Sequence, residues 1–160
     1  MQKTVAITVD RPVEEMYAFW RDFSNYPRLI DPLDTVVVQN GTVHWQATLP
    51  GDIDLSWESQ VVEDRPYDAI VWRSPEGAAL RNEGEITFRP APAGRGVEVR
   101  FTLNLDPPGG EMGEAVAKLF GPVPHVLAYK ALYRFKCLME TGEIPTLDNQ
   151  PAAREGGQDE

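Results

Sequence analysis

The 160-residue sequence contains one cysteine, Cys137, so the chain cannot form an internal disulfide and fits a reducing compartment. Basic residues are scarce as well: 15 Lys and Arg stand against 25 Asp and Glu, and the net charge is −10. Phosphate contacts need a basic face, so this charge argues against nucleic acid as a partner. It argues against an anionic membrane surface for the same reason.

Long apolar segments are also missing. No run of about 18 apolar residues occurs, so we expect no membrane-spanning helix. The opening MQKTVAITVD has no apolar signal core. We therefore expect a cytoplasmic protein.

Motifs of metal, nucleotide and thiol chemistry are absent. The two histidines, His44 and His125, have no ligand-type spacing to each other or to a carboxylate. The chain has no G-x-G-x-x-G, and Gly109-Gly110 is not followed by the Lys-Ser/Thr of a phosphate loop. Cys137 has no obvious histidine partner. We expect neither a metal nor a cofactor.

What the sequence does contain is a clear change of hydrophobic period. Residues 3–9 alternate like a half-buried strand, residues 12–22 carry apolar side chains at helical spacing, and residues 24–33 contain two prolines typical of a short, broken helix. Short turns such as Asn40-Gly41 then separate six predicted strands. Their ranges are 34–39, 42–49, 53–63, 68–74, 80–89 and 97–105.

The last third of the chain predicts helices. Segment 111–120 looks helical between two Pro/Gly-rich breaks, and we expect it to act as a lid or merely to turn the chain. Residues 125–140 form the strongest helix, and Lys130 and Arg134 lie opposite its apolar face. That face comprises Leu127, Ala128, Ala131, Leu132, Phe135, Leu138 and Met139.

The predicted architecture is α+β. Six consecutive strands joined by short turns imply an antiparallel meander, and only the long helix is large enough to cover its apolar face. We expect a curved antiparallel sheet of about seven strands wrapped around that helix, with two short helices after the first strand. The domain should span residues 1–145, followed by a disordered acidic tail at 146–160.

This element order resembles the helix-grip fold of the START-like (SRPBCC) superfamily over roughly residues 3–141. Four segments carry the resemblance: VAITVDRPVEEMYAFWRDFSNYPRLI, HWQATLPGDIDLSWESQVVEDRPYDAIVWRS, GEITFRPAPAGRGVEVRFTL and KLFGPVPHVLAYKALYRFKCLMETGEIPT. Together they are similar to the bacterial polyketide cyclase/dehydrase-like branch. The resemblance implies a mostly apolar cavity between sheet and last helix. Members of the superfamily bind lipids, polyketides, isoprenoid quinones or plant hormones there, some catalyse cyclisation or dehydration, and related families bind partner proteins.

Several side chains are candidates for lining such a cavity. Trp45, Trp57 and Trp72 fall on the apolar sides of three strands, where they either form plain core or offer flat surfaces to ring-shaped ligands. Asn82 faces inward and needs a backbone, water or ligand partner. Tyr129 lies at the edge of the helix stripe, with its hydroxyl either inward or in solvent. The expected lining is Trp45, Trp57, Trp72, Asn82, Phe88, Phe101, Phe120, Tyr129 and Leu132.

Three functions remain open at this point. The first is a monomeric or homodimeric protein that binds an apolar small molecule, such as an aromatic, polyketide or isoprenoid compound. The second is a cyclase or dehydratase that uses Asn82 or Tyr129. The third is a quinone- or lipid-binding chaperone, or a stress-response interaction module whose cavity is small or filled. No acid–base pair favours the enzyme, and no exposed apolar run favours a partner protein.

Overall fold

The computed structural model of the chain describes residues 2–49, 52–106, 114 and 124–143. Strand β1 (Gln2–Val9) is followed by helix α1 (Val13–Arg21) and a 3₁₀ helix (Phe23–Arg28). The remaining elements are β2 (Leu33–Gln39), β3 (Thr42–Leu49), β4 (Ile53–Arg65), β5 (Ala69–Arg73), β6 (Arg81–Pro90), a 3₁₀ turn (Pro92–Gly94), β7 (Val97–Asp106) and helix α2 (Pro124–Thr141).

The described strands form one seven-stranded antiparallel sheet in the order β1-β7-β6-β5-β4-β3-β2. β2 to β7 are a meander, and β1 joins by pairing with β7 from Gln2↔Asn104 to Val9↔Val97. The predicted α+β helix-grip architecture is confirmed, including the two short helices after the first strand.

One face of the sheet is apolar and the other is wet. In β6 the residues Asn82, Gly84, Ile86 and Phe88 are buried, while Arg81 and the other alternate positions are more exposed. The same alternation places Trp45, Trp57 and Trp72 on the inner face. A strand with one buried face has this period of two because successive side chains point to opposite sides.

Helix α2 covers the inner face with Ala128, Ala131, Leu132 and Phe135, all of which are fully buried. Arg134 was expected on the solvent side, and that prediction is wrong, because only 4% of the residue is exposed. The segment that follows the 3₁₀ helix packs against that side of α2. Arg134 Nη1 donates to Leu29 O at 3.2 Å and to Asp31 Oδ1 at 2.6 Å.

The far end of α2 is tied to β1. Lys136 Nζ donates to Thr8 O at 2.6 Å, and Glu140 Oε2 accepts the Asp10 N–H at 2.9 Å. Charged side chains therefore anchor α2 at two places, to the end of β1 and to the segment that precedes β2.

Two predictions fall on other parts of the chain. The proposed lid at 111–120, apart from residue 114, and the tail at 146–160 lie outside the described residues. Both stay predictions. No helix among the described residues is both long enough and apolar enough to cross a bilayer.

Candidate functional site

A cluster of aromatic rings forms the inner wall between the sheet and the 3₁₀ helix. Tyr26 lies 5.7 Å from both Trp45 and Trp72, measured between ring centroids. Trp45 and Trp72 are 5.9 Å apart, and Phe101 lies 6.4 Å from Trp72. Tyr26 is held in place by its hydroxyl, which donates to Trp20 O at 2.8 Å. The ring planes are tilted by 36° to 65° to one another, and together they create an apolar wall whose positions are set by strand alternation and one buried hydrogen bond.

These rings enclose a small chamber beneath α2. Its volume is about 30 Å³, which holds about two water molecules. No Asp, Glu, Lys, Arg or His belongs to the described lining. The described lining residues are Tyr26, Ile30, Leu33, Trp45, Trp57, Trp72, Asn82, Phe101, Leu103 and Ala128.

Trp57 on β4 and Leu103 on β7 are the two described lining residues that are only partly buried. The Trp57 indole is stacked on that of Trp45, with centroids 6.1 Å apart and planes at 6°. Trp45 and Trp57 also border a surface groove of about 610 Å³ between the outer face and the loop after β5. This stacked pair therefore borders both the apolar chamber and the surface groove.

A buried polar chain crosses the chamber wall. The Trp45 Nε1–H donates to Ser59 Oγ at 3.0 Å, and the Ser59 hydroxyl donates to Asn82 Oδ1. Asn82 Nδ2 donates in turn to Leu80 O at 3.0 Å and to Glu58 O at 3.3 Å. Both the amide nitrogen and the carbonyl oxygen of the Asn82 side chain therefore have protein partners.

The length of β5 explains why an asparagine stands there. β5 has five residues and ends at Arg73, whereas its neighbours β4 and β6 have 13 and 10. Beyond Arg73 the two longer strands lose their common partner. The Asn82 side chain spans the gap and donates to the partly buried Glu58 carbonyl, which has lost its strand partner there.

Tyr26 is the titratable group of the described lining. Burial raises the pKa of its phenol well above the ordinary value, against a smaller opposing effect of Arg21. A neutral hydroxyl already donating to Trp20 O has no proton to exchange with a ligand near neutral pH. The described chamber wall is thus uncharged and internally satisfied.

Sequence comparison gives the family. Residues 9–135 match the family described as polyketide cyclase / dehydrase and lipid transport. The chain belongs to that family. No curated protein matches it in sequence.

Solved structures of similar fold extend the comparison. The Deinococcus radiodurans protein DR_A0006 is 33% identical, covers 89% of this chain and 99% of its own, and superposes with a TM-score of 0.73. The Streptomyces aromatase/cyclase ZhuI is 14% identical, with coverage of 91% and 99% and a TM-score of 0.64. A START superfamily protein from Mycobacterium smegmatis is 17% identical, with coverage of 85% and 95% and a TM-score of 0.60.

Five of the nine residues expected to line the cavity of this cyclase/dehydrase family member border the chamber together. They are Trp45, Trp57, Trp72, Asn82 and Phe101. Phe120 lies outside the described residues.

Three expected lining residues lie elsewhere. Tyr129 is 51% exposed, because it follows Ala128 by one position and is rotated about 100° away from the sheet. Leu132 is fully buried in the core rather than at the chamber. Phe88 lies at the other end of the sheet, with its ring centroid 6.4 Å from that of Tyr17.

Sequence reasoning missed five lining residues. Tyr26, Ile30 and Leu33 come from the proline-containing segment that was interpreted only as a broken helix, and no regular period in that segment indicates that they share a side. Leu103 and Ala128 were assigned to apolar faces without a role at the cavity.

Proposed function

We propose that this member of the polyketide cyclase/dehydrase and lipid transport family binds an apolar, ring-containing small molecule in the chamber beneath α2. The observation that carries the proposal is the convergence of Trp45, Trp57 and Trp72 on one uncharged space. Flat aromatic side chains suit ring systems, and pockets for such ligands are lined mostly by apolar and aromatic side chains with a few polar groups.

The chamber must enlarge to admit such a ligand. Its volume of about 30 Å³ is roughly a tenth of the smallest usual ligand pocket, which is about 300 Å³. Trp57 and Leu103 are the described lining residues that are partly exposed, so displacing them disturbs the packed interior less than displacing a fully buried one. We therefore expect the chamber to open at Trp57 and Leu103, while Trp45 and Trp72 remain as the fixed surface.

The choice of ligand class follows the structural relatives. ZhuI and the two-domain protein StfQ of the steffimycin pathway are both described as aromatase/cyclases, and StfQ has a TM-score of 0.61 with 18% identity. This chain covers 50% of StfQ. Polycyclic aromatic compounds, with quinones as the second class, are accordingly the first ligands to test.

Tryptophan fluorescence tests the proposal directly. Three of the four tryptophans line the chamber, and Trp20 does not. Titration with polycyclic aromatics and quinones should quench the emission, and Trp20→Phe should retain the quenching as the matched control. Trp57→Ala and Trp72→Ala should each raise the Kd about three- to tenfold through lost ring contacts. A flat titration across the panel with folded protein would contradict the proposal.

A second candidate function is favoured by the small volume itself. A chamber that holds only about two waters suits an interaction module whose interior is filled. Native mass spectrometry of freshly purified protein separates the two. A retained small molecule supports the binding protein, and an empty protein that also gives flat titrations supports the interaction module.

The described lining does not favour the cyclase or dehydratase. The polar side chains of the described lining that could take part in catalysis are those of Asn82 and Tyr26. Both are hydrogen-bonded within the chain. Tyr129, the other residue considered for catalysis, faces solvent.

A further inference from the structure

The outer edge of β2 is apolar and open. β2 ends the strand order of the sheet, and Val37 and Val38 are 48% and 49% exposed. Its one charged residue is Asp34, whose carboxylate accepts a hydrogen bond from Thr48 of β3. Sheet edges of this kind pair readily with another strand unless a charge, a proline or a covering element blocks them.

Helix α2 covers one end of the opposite edge of the sheet. There, Lys136 of α2 donates to the Thr8 carbonyl, and Glu140 accepts the Asp10 N–H. The side chains of α2 thus occupy backbone groups at the end of β1 and directly after it. No described residue does the same for β2 beyond its first position, Leu33, which donates to Ile30 O.

The hairpin geometry fixes which backbone groups of β2 are free. Asn40 and Gly41 have φ of 53° and 80°, so they form a two-residue turn between the paired residues Gln39 and Thr42. The two residues that flank such a turn bond to each other through both of their backbone N–H and C=O groups. Along the two strands, hydrogen-bonded residue pairs then alternate with pairs whose backbone groups point away from each other. The N–H and C=O groups of Val38 and Val36 therefore point away from β3.

We propose that β2 is a dimerisation edge on which a second copy of this chain pairs antiparallel, with the two-fold axis at Val37. In that register Val36 of each copy faces Val38 of the other, and both pairs use the outward backbone groups to form four hydrogen bonds. The two Val37 side chains meet across the axis. One sheet then runs through both copies.

The chemistry of the strand selects a second copy as the occupant. A two-fold interface brings the same patch against itself, so the patch must be complementary to itself. Around Val37, valine meets valine and Thr35 meets Gln39, while Asp34 lies at the β-bulge between Leu33 and Thr35, outside the paired stretch. Each copy carries a net charge of −10, so close approach is tolerated only where no like charges face each other, as in this register.

Sedimentation equilibrium of the full chain over a range of concentrations tests the proposal. The wild type should show a monomer–dimer equilibrium. Val37→Lys places two cations opposite each other and should raise the dimer Kd by about tenfold or more. Val62→Lys is the matched control, since Val62 is 51% exposed on β4 away from the edge, and it should leave the Kd unchanged.

The register has its own test. Mixing Val37→Lys with Val37→Glu places opposite charges across the axis and should restore association that neither variant shows alone. Val38→Pro removes an outward N–H without removing a bond to β3, and it should also weaken the dimer. A wild type that stays monomeric at all concentrations, or a dimer that Val37→Lys leaves intact, overturns the proposal. A folded Val37→Lys/Val37→Glu mixture that stays monomeric overturns the register.

Discussion

The indole of Trp72 lies directly over the backbone of Gly84. The two residues are register partners on β5 and β6, and a Cβ built on Gly84 would be 2.0 Å from Cζ2 of Trp72. Any side chain larger than hydrogen would displace the ring. Gly84 therefore sets the position of a tryptophan whose other side contacts Phe23 and Tyr26 at the chamber wall.

Gly84→Ala should destabilise the protein by about 1–3 kcal/mol, because the added methyl group forces Trp72 off its position in a packed core. Urea denaturation measures the loss. In the Trp72→Phe background the same alanine should cost clearly less, since the smaller ring leaves room. Equal costs in the two backgrounds would show that the contact with Trp72 does not restrict position 84.

Ser59→Ala should cost about 1–3 kcal/mol of unfolding free energy. The Trp45 indole N–H and the Asn82 carbonyl oxygen are both buried, and both lose their hydrogen-bond partner. Ser56, exposed on the same strand, gives the control: Ser56→Ala should change stability by less than about 0.5 kcal/mol. Thermal or urea unfolding of the two variants compares them, and equal losses would argue against the buried polar chain.

Asp31→Asn should lower the free energy of unfolding at neutral pH. In acid, the difference in unfolding free energy between this variant and the wild type should become smaller. Burial alone would raise the pKa of Asp31, but hydrogen bonds and charge from Arg134 and Lys130 hold it below the ordinary aspartate value. An ionised Asp31 therefore stabilises the fold fully above about pH 4, and this contribution is lost as pH falls through its lowered pKa. At pH 7 we expect a loss of about 1–2 kcal/mol, less than for a fully buried pair, because the Asp31 side chain is 43% exposed.

Urea titrations at pH 7 and near pH 2.5 test this dependence. Glu15→Gln, which breaks the exposed Arg11–Glu15 pair, should change stability by less than about 0.5 kcal/mol and serves as the control. A loss for Asp31→Asn that is the same at both pH values would mean that the effect is not electrostatic.

The strands and the inward tryptophans could be predicted because a strand with one solvent-exposed face must alternate apolar and polar residues. Once β3, β4 and β5 were recognised, Trp45, Trp57 and Trp72 could only face inward. Helical periodicity was less informative for α2. Helical periodicity indicates the face of a helix that packs against a single surface. In this fold, the segment after the 3₁₀ helix packs against a second side of α2 and buries Arg134 there.

The chamber itself was less predictable than its walls. Tyr26 reaches it from a segment without regular period, through a hydrogen bond to Trp20 O that no spacing rule encodes. The volume of about 30 Å³ depends on how rings from four strands and a 3₁₀ helix interlock. Such packing is set by contacts between residues far apart in sequence.

The pairing of β1 with β7 makes the order of synthesis matter for folding. β1 ends at Val9 and its partner strand begins at Val97, while the bonds from Thr8 and Asp10 to α2 span 128 and 130 residues. At ribosomal rates of about 5–20 residues per second, the first strand waits roughly 5–20 s for its partner. During that interval Val5 and Val9, buried in the finished fold, are exposed on the nascent chain. Productive folding therefore waits until β7 and α2 have been synthesised, and a chaperone that shields the first ten residues would act at the stage when the chain is most prone to aggregate.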